Sequence, residues 1–174
     1  MNKNLLLRPR LKLAKLPTPL DRAENLGKSL GNLDLWIKRD DLTGFGFGGN
    51  KVRSLEYLAA DAMKKNSNIL ITGGSHGSNH VRTTMAVAAH LGLKGFAVLS
   101  GTRPSTKNGN LLLDQLLGAK LIFTGDENRS NIDDFIEDEV KRLQSLDERP
   151  YLIRRGGVSS LGCIGYVSAA MEIC

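Results

Sequence analysis

The chain has little aromatic content (5% of residues), two cysteines, three histidines and no acidic residue before Asp21. Each scarcity excludes something. Nucleic-acid binding would explain the net charge of +6, but aromatics are few and no basic stripe recurs along a helix. Cys163 and Cys174 form neither a disulfide framework nor a metal-ligand spacing, which fits a reducing cytosol. No apolar run reaches the roughly 18 residues of a membrane span. The lack of early acids leaves Lys3, Arg8, Arg10, Lys12 and Lys15 as a basic lead, a composition that a transit peptide would share. Leu16-Pro17-Thr18-Pro19-Leu20 interrupts any amphipathic helix there, so the lead reads as a mature N-terminal segment.

What is present is ordinary for a globular protein. The 174 residues are 41% hydrophobic and 24% charged, enough for one domain, or a domain and a piece of another. After the Pro-rich lead, Asp21 to Leu30 reads as a short helix and Leu33 to Arg39 as a strand. An alternation then sets in. Helices are expected at 51–65, 79–91, 110–117 and 132–146, and strands at 68–72, 95–99, 119–123 and 151–153. Strands separated by helices at this spacing imply crossovers and a parallel sheet covered on both faces, an open α/β domain over about residues 51–155. From Gly162 to Cys174 the pattern is that of a helix still in progress at the last residue, with no C-cap, as expected of a chain cut from a longer one.

Two motifs carry chemistry. Gly44-Phe45-Gly46-Phe47-Gly48-Gly49-Asn50 delivers Lys51 to the first turn of a helix. A helix N-terminus favours anions and mildly repels an ammonium, and the neutral amine is the form that attacks a carbonyl. Glycines also permit positive φ and close approach, so a flat ligand has room to lie against the loop. The plain alternative is a surface lysine after a flexible loop. The glycines formally satisfy G-x-G-x-x-G, but Asp40 to Thr43 separate them from the strand and no acid ends the next strand, as a dinucleotide site requires. A phosphate-binding P-loop fails as well, with Asn50 and Val52 on either side of the lysine. The second motif, Thr72-Gly73-Gly74-Ser75-His76-Gly77-Ser78-Asn79-His80, lies at the end of a strand and the start of a helix, where open α/β sheets bind ligands. Gly73 to Gly77 spells the G-x-S-x-G of a hydrolase nucleophile, yet no histidine follows an acid to complete a triad. Ser78 and Asn79 are also good helix caps, and capping is compatible with receiving a carboxylate on spare N–H groups. A lysine with a Ser-Asn-His turn suits pyridoxal phosphate and an amino-acid carboxylate.

Lys38-Arg39-Asp40-Asp41-Leu42-Thr43-Gly44, Gly48-Gly49-Asn50-Lys51-Val52-Arg53 and Ser78-Asn79-His80 together resemble the signature of the D-cysteine desulfhydrase and 1-aminocyclopropane-1-carboxylate deaminase family. These are fold-type II pyridoxal phosphate enzymes, related to the tryptophan synthase beta subunit. The segments 16–20, 108–119 and 156–166 follow the family too. The resemblance implies an open parallel sheet with helices on both faces. Residues 1–50 would form the N-terminal part of a large cofactor domain, 51–155 a small α/β domain, and 156–174 the start of the return into the large domain. It implies that Lys51 carries pyridoxal 5′-phosphate as a Schiff base and moves protons, and that Asn79 bonds the cofactor's 3-oxygen. Ser78, with the Asn79–His80 backbone, would hold the substrate carboxylate; Ser78 is also a candidate base or nucleophile. One departure bears on substrate choice: Gly77 stands where the family commonly has glutamine, and His76 where an aliphatic residue is usual. The implied reaction is elimination from, or deamination of, a small amino acid. D-cysteine is the first candidate; 1-aminocyclopropane-1-carboxylate, or a catalytically inactive truncated fragment, is the alternative. The implied full-length protein is a cytoplasmic homodimer, with its phosphate loop and pyridine-nitrogen partner beyond residue 174. The 174 residues alone are expected to hold the cofactor weakly.

Overall fold

The computed structural model describes residues 7–174, which leaves Lys3 of the basic lead outside the described residues. Strand β1 (Leu20–Arg22), helix α1 (Glu24–Ser29) and strand β2 (Trp36–Lys38) come first. Helix α2 (Lys51–Lys64), strand β3 (Ile69–Gly74), helix α3 (Asn79–His90) and strand β4 (Lys94–Leu99) follow. The chain continues through helix α4 (Gly109–Leu116), strand β5 (Lys120–Phe123), helix α5 (Ile132–Gln144), strand β6 (Pro150–Leu152) and helix α6 (Ser160–Met171). The alternation of strand and helix expected between residues 51 and 155 is the one observed.

The four strands β3 to β6 form one parallel sheet in the order β5-β4-β3-β6. Their side chains alternate between two covered faces. Leu70, Ala97 and Leu99 face α2, α3 and α4, packing with Leu55, Leu58, Val81, Met85, Val87 and Leu111. Ile69, Ile71, Phe96 and Val98 face α5, packing with Ile132, Ile136 and Leu143. Burial on both sides is why β3 reads as an unbroken apolar run. The chain steps from β3 to β4 to β5 in one direction and then returns, by way of α5, to the far side of β3. Crossovers of one hand therefore put α5 on the opposite face from α3 and α4. The direction reverses between β3 and β6, and this places a crevice at their carboxyl ends.

Three local expectations change. Residues 21–30 are not one helix: Leu20–Arg22 pairs antiparallel with Trp36–Lys38, Leu20 opposite Lys38, so the helix starts only at Glu24. For the same reason the strand expected over 33–39 is confined to the paired residues 36–38. The last helix begins at Ser160, earlier than expected, because the Ser159 hydroxyl accepts the Gly162 N–H at 3.0 Å and caps it. It ends at Met171 rather than running through Cys174, and the Glu172 N–H closes the last turn on Ser168 and Ala169. The Glu172 carboxylate turns inward to Arg53 and Lys38. A Cβ on Gly165 would lie 2.3 Å from the Arg53 carbonyl oxygen, so only glycine lets α6 lie against α2 here. Among the described residues no helix is long and apolar enough to cross a membrane.

Candidate active site

Lys51, Ser78, Asn79 and His80 line one open cavity of about 400 Å3, together with Gly73, Gly74, Ser75, Arg129, Arg155 and Gly156. The cavity sits at the carboxyl ends of β3 and β6, where the strand order reverses. It is within the usual size of a small-molecule site. Two segments 27 residues apart in sequence, counting from Lys51 to Ser78, therefore share one crevice.

Lys51 is the first residue of α2 and is half-buried. Its ammonium makes no ion pair or hydrogen bond among the described residues. The glycine loop before it owes its glycines mostly to its own turns. Gly44, Gly46, Gly48 and Gly49 all have positive φ, and a Cβ on Gly48 would lie 2.2 Å from the Asp41 carbonyl oxygen. Phe47 shares the left-handed conformation at φ 68°, a strained choice for an aromatic residue. Of these glycines, Gly49 faces open space, so the room expected for a flat ligand narrows to that end of the loop.

Arg82 holds the loop from beneath, donating to the Gly46 carbonyl at 2.6 Å and the Gly48 carbonyl at 3.2 Å. Its guanidinium also lies 5.8 Å from the centre of the Phe47 ring.

At the start of α3 both readings of Ser78 hold together. Its hydroxyl accepts the Val81 N–H at 3.3 Å, and its carbonyl accepts the Arg82 N–H. Among the described residues, the Asn79 and His80 N–H groups are the two of that first turn left without an acceptor. Both residues line the cavity, at the positive end of the helix.

The His80 ring points the other way, into the sheet. It is 3% exposed, and its Nε2 meets the Thr72 hydroxyl at 3.1 Å. That hydroxyl gives its only proton to the Ile153 carbonyl, so it must accept from His80, which fixes the Nε2–H tautomer. Burial lowers the imidazole to about 4, helped by the charge of Lys51; the nearby Arg154 backbone opposes this, but no hydrogen bond to Nδ1 has ordinary geometry. His80 is thus neutral near pH 7, and its backbone rather than its ring faces the site.

Several residues belonging to this region were not singled out from sequence. The Asn110 side-chain amide donates to the Gly77 carbonyl at 2.8 Å and to Asn79 Oδ1 at 2.9 Å. Asp114, one turn further along α4, is fully buried, and neither of its oxygens is hydrogen-bonded among the described residues. Burial pushes its carboxyl up to about 7 against the nearby charge of Arg82, whose own pKa burial lowers. The only sequence signal was a lone acid inside Leu111-Leu112-Leu113-Asp114-Gln115-Leu116-Leu117. Arg155, at the rim, is engaged by Asp133 and the Arg129 carbonyl, whereas the Arg129 guanidinium has no partner among the described residues. With Lys51 and two helix N-termini, these cations make the cavity a place for anions.

The sequence profile of the pyridoxal-phosphate dependent enzyme family matches residues 11–174. A D-cysteine desulfhydrase of Klebsiella pneumoniae (strain 342) is 42% identical over 175 residues, 98% of this chain and 52% of the relative. A D-cysteine desulfhydrase of Salmonella paratyphi C (strain RKS4594) is 42% identical over 170 residues, 95% of this chain and 51% of the relative. Among solved structures, an ACC deaminase homologue superposes with a TM-score of 0.90 at 38% identity, over 98% of this chain and 52% of that one. The chain spans about half the length of the curated relatives it matches.

Proposed function

Since the chain belongs to the pyridoxal-phosphate dependent enzyme family, we propose that it forms part of an enzyme that eliminates from, or deaminates, a small amino acid. The substrate we favour is D-cysteine, converted with water to pyruvate, sulfide and ammonia. The observation that carries this reading is the convergence of Lys51 and the Ser78-Asn79-His80 turn on one cavity. The residues present suit the cofactor: one unpaired amine, a side-chain amide and two free N–H groups beside it form a donor set for a carbonyl compound bearing oxygens. When bound, pyridoxal phosphate would supply the carbonyl carbon that amines attack and the ring that takes up the electron pair of a departing proton.

The chain's own groups would divide the remaining work. Lys51 serves as the amine that holds the cofactor and then as the carrier of the substrate proton. Asn79 donates to the ring oxygen. The Ser78 hydroxyl and the Asn79 and His80 N–H groups hold the substrate carboxylate, with the α3 N-terminus adding its partial charge. His80, neutral and turned into the sheet, plays no acid–base part near pH 7. The likeness to the ACC deaminase homologue favours a second reading, ring opening of 1-aminocyclopropane-1-carboxylate on the same groups. For the full-length protein we retain a cytoplasmic homodimer without nucleic acid.

The test is borohydride trapping of the full-length protein with pyridoxal phosphate, followed by peptide mass mapping. The label is expected on Lys51 and absent in Lys51→Ala; a label on another lysine would remove the central claim. Sulfide release from D-cysteine, set against 2-oxo acid formation from 1-aminocyclopropane-1-carboxylate, then separates the two substrates.

A further inference from the structure

The orientation of the Asn79 side chain is decided outside the cavity. The Gly77 carbonyl can only accept, so the amide group of Asn110 that faces it at 2.8 Å must be the NH2. That same NH2 lies 2.9 Å from Asn79, so the Asn79 atom it meets must be the oxygen. Arg82, which can only donate, faces the same atom at a longer 3.5 Å and agrees with that orientation. The Asn79 oxygen is thereby used on the protein side. Its NH2 has no partner among the described residues, and Asn79 lines the cavity that holds Lys51. Asn110 stands on α4 and Asn79 on α3, so the choice depends on the packing of two helices. It also ties the site to Gly77 in the turn before Ser78 and, through Arg82, to the carbonyls of the glycine loop before Lys51.

We infer that Asn110 is a positioning residue: by donating to both the Gly77 carbonyl and Asn79 Oδ1, it turns the Asn79 amide so that its NH2 faces the cofactor's oxygen. The inference rests on the proposed role of Asn79 and adds a residue that touches neither cofactor nor substrate. Without the Asn110 donor the Asn79 amide is free to rotate, and half of its orientations present an oxygen where a donor is needed.

The experiment titrates pyridoxal phosphate into the full-length protein and its Asn79→Ala, Asn110→Ala, Asn110→Asp and double-alanine variants. It reads the dissociation constant, the visible absorbance of the bound cofactor and the melting temperature. Asn110→Ala is expected to weaken binding about 3- to 10-fold, the worth of one hydrogen bond, and to move the absorbance in the direction of Asn79→Ala. Asn110→Asp keeps the size but sets a carboxylate oxygen against two acceptors, so it is expected to bind no better than Asn110→Ala. The double variant is expected to be no weaker than Asn79→Ala alone, because Asn110 acts through Asn79. Parent-like binding and absorbance in Asn110→Ala, or losses that multiply in the double variant, would overturn the inference while leaving Asn79 in its role. A loss that follows only the melting temperature would overturn it too. Parent-like behaviour of Asn79→Ala would instead strike down the proposed contact of Asn79, and the inference with it.

Discussion

Arg53 and Arg82 are both buried, and the fold treats them oppositely. Arg53 lies on α2, two residues after Lys51, with every group satisfied. It reaches Asp40 at 2.7 and 2.8 Å, Glu172 at 2.8 and 3.0 Å, and the Thr18 hydroxyl at 3.1 Å. Lys38 joins the same carboxylate of Glu172 at 2.7 Å. Burial alone would lower the Arg53 pKa, but the bonds to Asp40 and Glu172 raise it; the Arg53 hydrogen bonds hold Glu172 down at about 2. Arg82, on α3, holds two carbonyls of the glycine loop, but its Nε and both oxygens of the nearby Asp114 have no partner among the described residues. A complete buried network ties segments together: here the Pro-rich lead, the turn after β2, the start of α2 and the end of α6. An incomplete one is rare in native proteins, and such groups gather at functional or strained sites. The incomplete network is the one that borders the Asn79 amide and the glycine loop.

The contrast is open to attack by mutation. Arg53→Ala should have the largest effect, about 3–5 kcal/mol of lost stability in denaturant unfolding, because Asp40 loses its cation and Glu172 keeps only Lys38. Arg82→Ala should lose clearly less; equal losses would erase the distinction.

Glu172→Gln should come next, at about 2 kcal/mol near pH 7. The folded carboxylate titrates at about 2, below its ordinary 4.5. Its stabilisation is therefore present above pH 4.5 and lost as pH falls through 2. The gap between parent and variant should close over that window, which unfolding midpoints measured from pH 7 down to pH 2 would follow.

Asp114→Asn should have an effect of the opposite sign, confined to high pH. The buried carboxyl titrates at about 7, above its ordinary 3.8, so the folded chain keeps a proton that the unfolded chain releases. That stabilisation is full below pH 3.8 and lost as pH rises through 7. The shift bounds the variant's gain on the parent at about 4 kcal/mol at pH 8 and leaves little at pH 4. Destabilisation by Asp114→Asn at pH 8 would mean that Asp114 is paired in solution, and the two arginines would then be alike.

Much of the architecture could be read from the residues. Runs such as Ile69-Leu70-Ile71 and the three- and four-residue spacing of Val52, Leu55, Leu58, Ala59 and Ala62 carry their own periodicity, and the structure starts α2 and α3 where expected. Residues 20–38 were misread in part because β1 exists only through its pairing with β2, a contact that no local window contains. At the site, Lys51, Ser78, Asn79 and His80 stood out because glycines and cap residues flank them. Arg82, Asn110 and Asp114 did not, since a polar residue on a helix has no meaning until the facing helix is known. The side of His80 also escaped notice. Its neighbours in sequence point to the cavity, while its ring joins Thr72 beneath the sheet.

What the sequence determined by itself was the class of fold and the two chemical motifs, because hydrophobic period, helix caps and glycine turns act over a few residues. Only the tertiary structure decided that the motifs meet. The order β5-β4-β3-β6 opens a crevice beside β3, and the packing of α3 on α4 orients an amide within it. Both depend on contacts between distant segments, whose energies are set by which surfaces are buried together rather than by the order of residues along the chain.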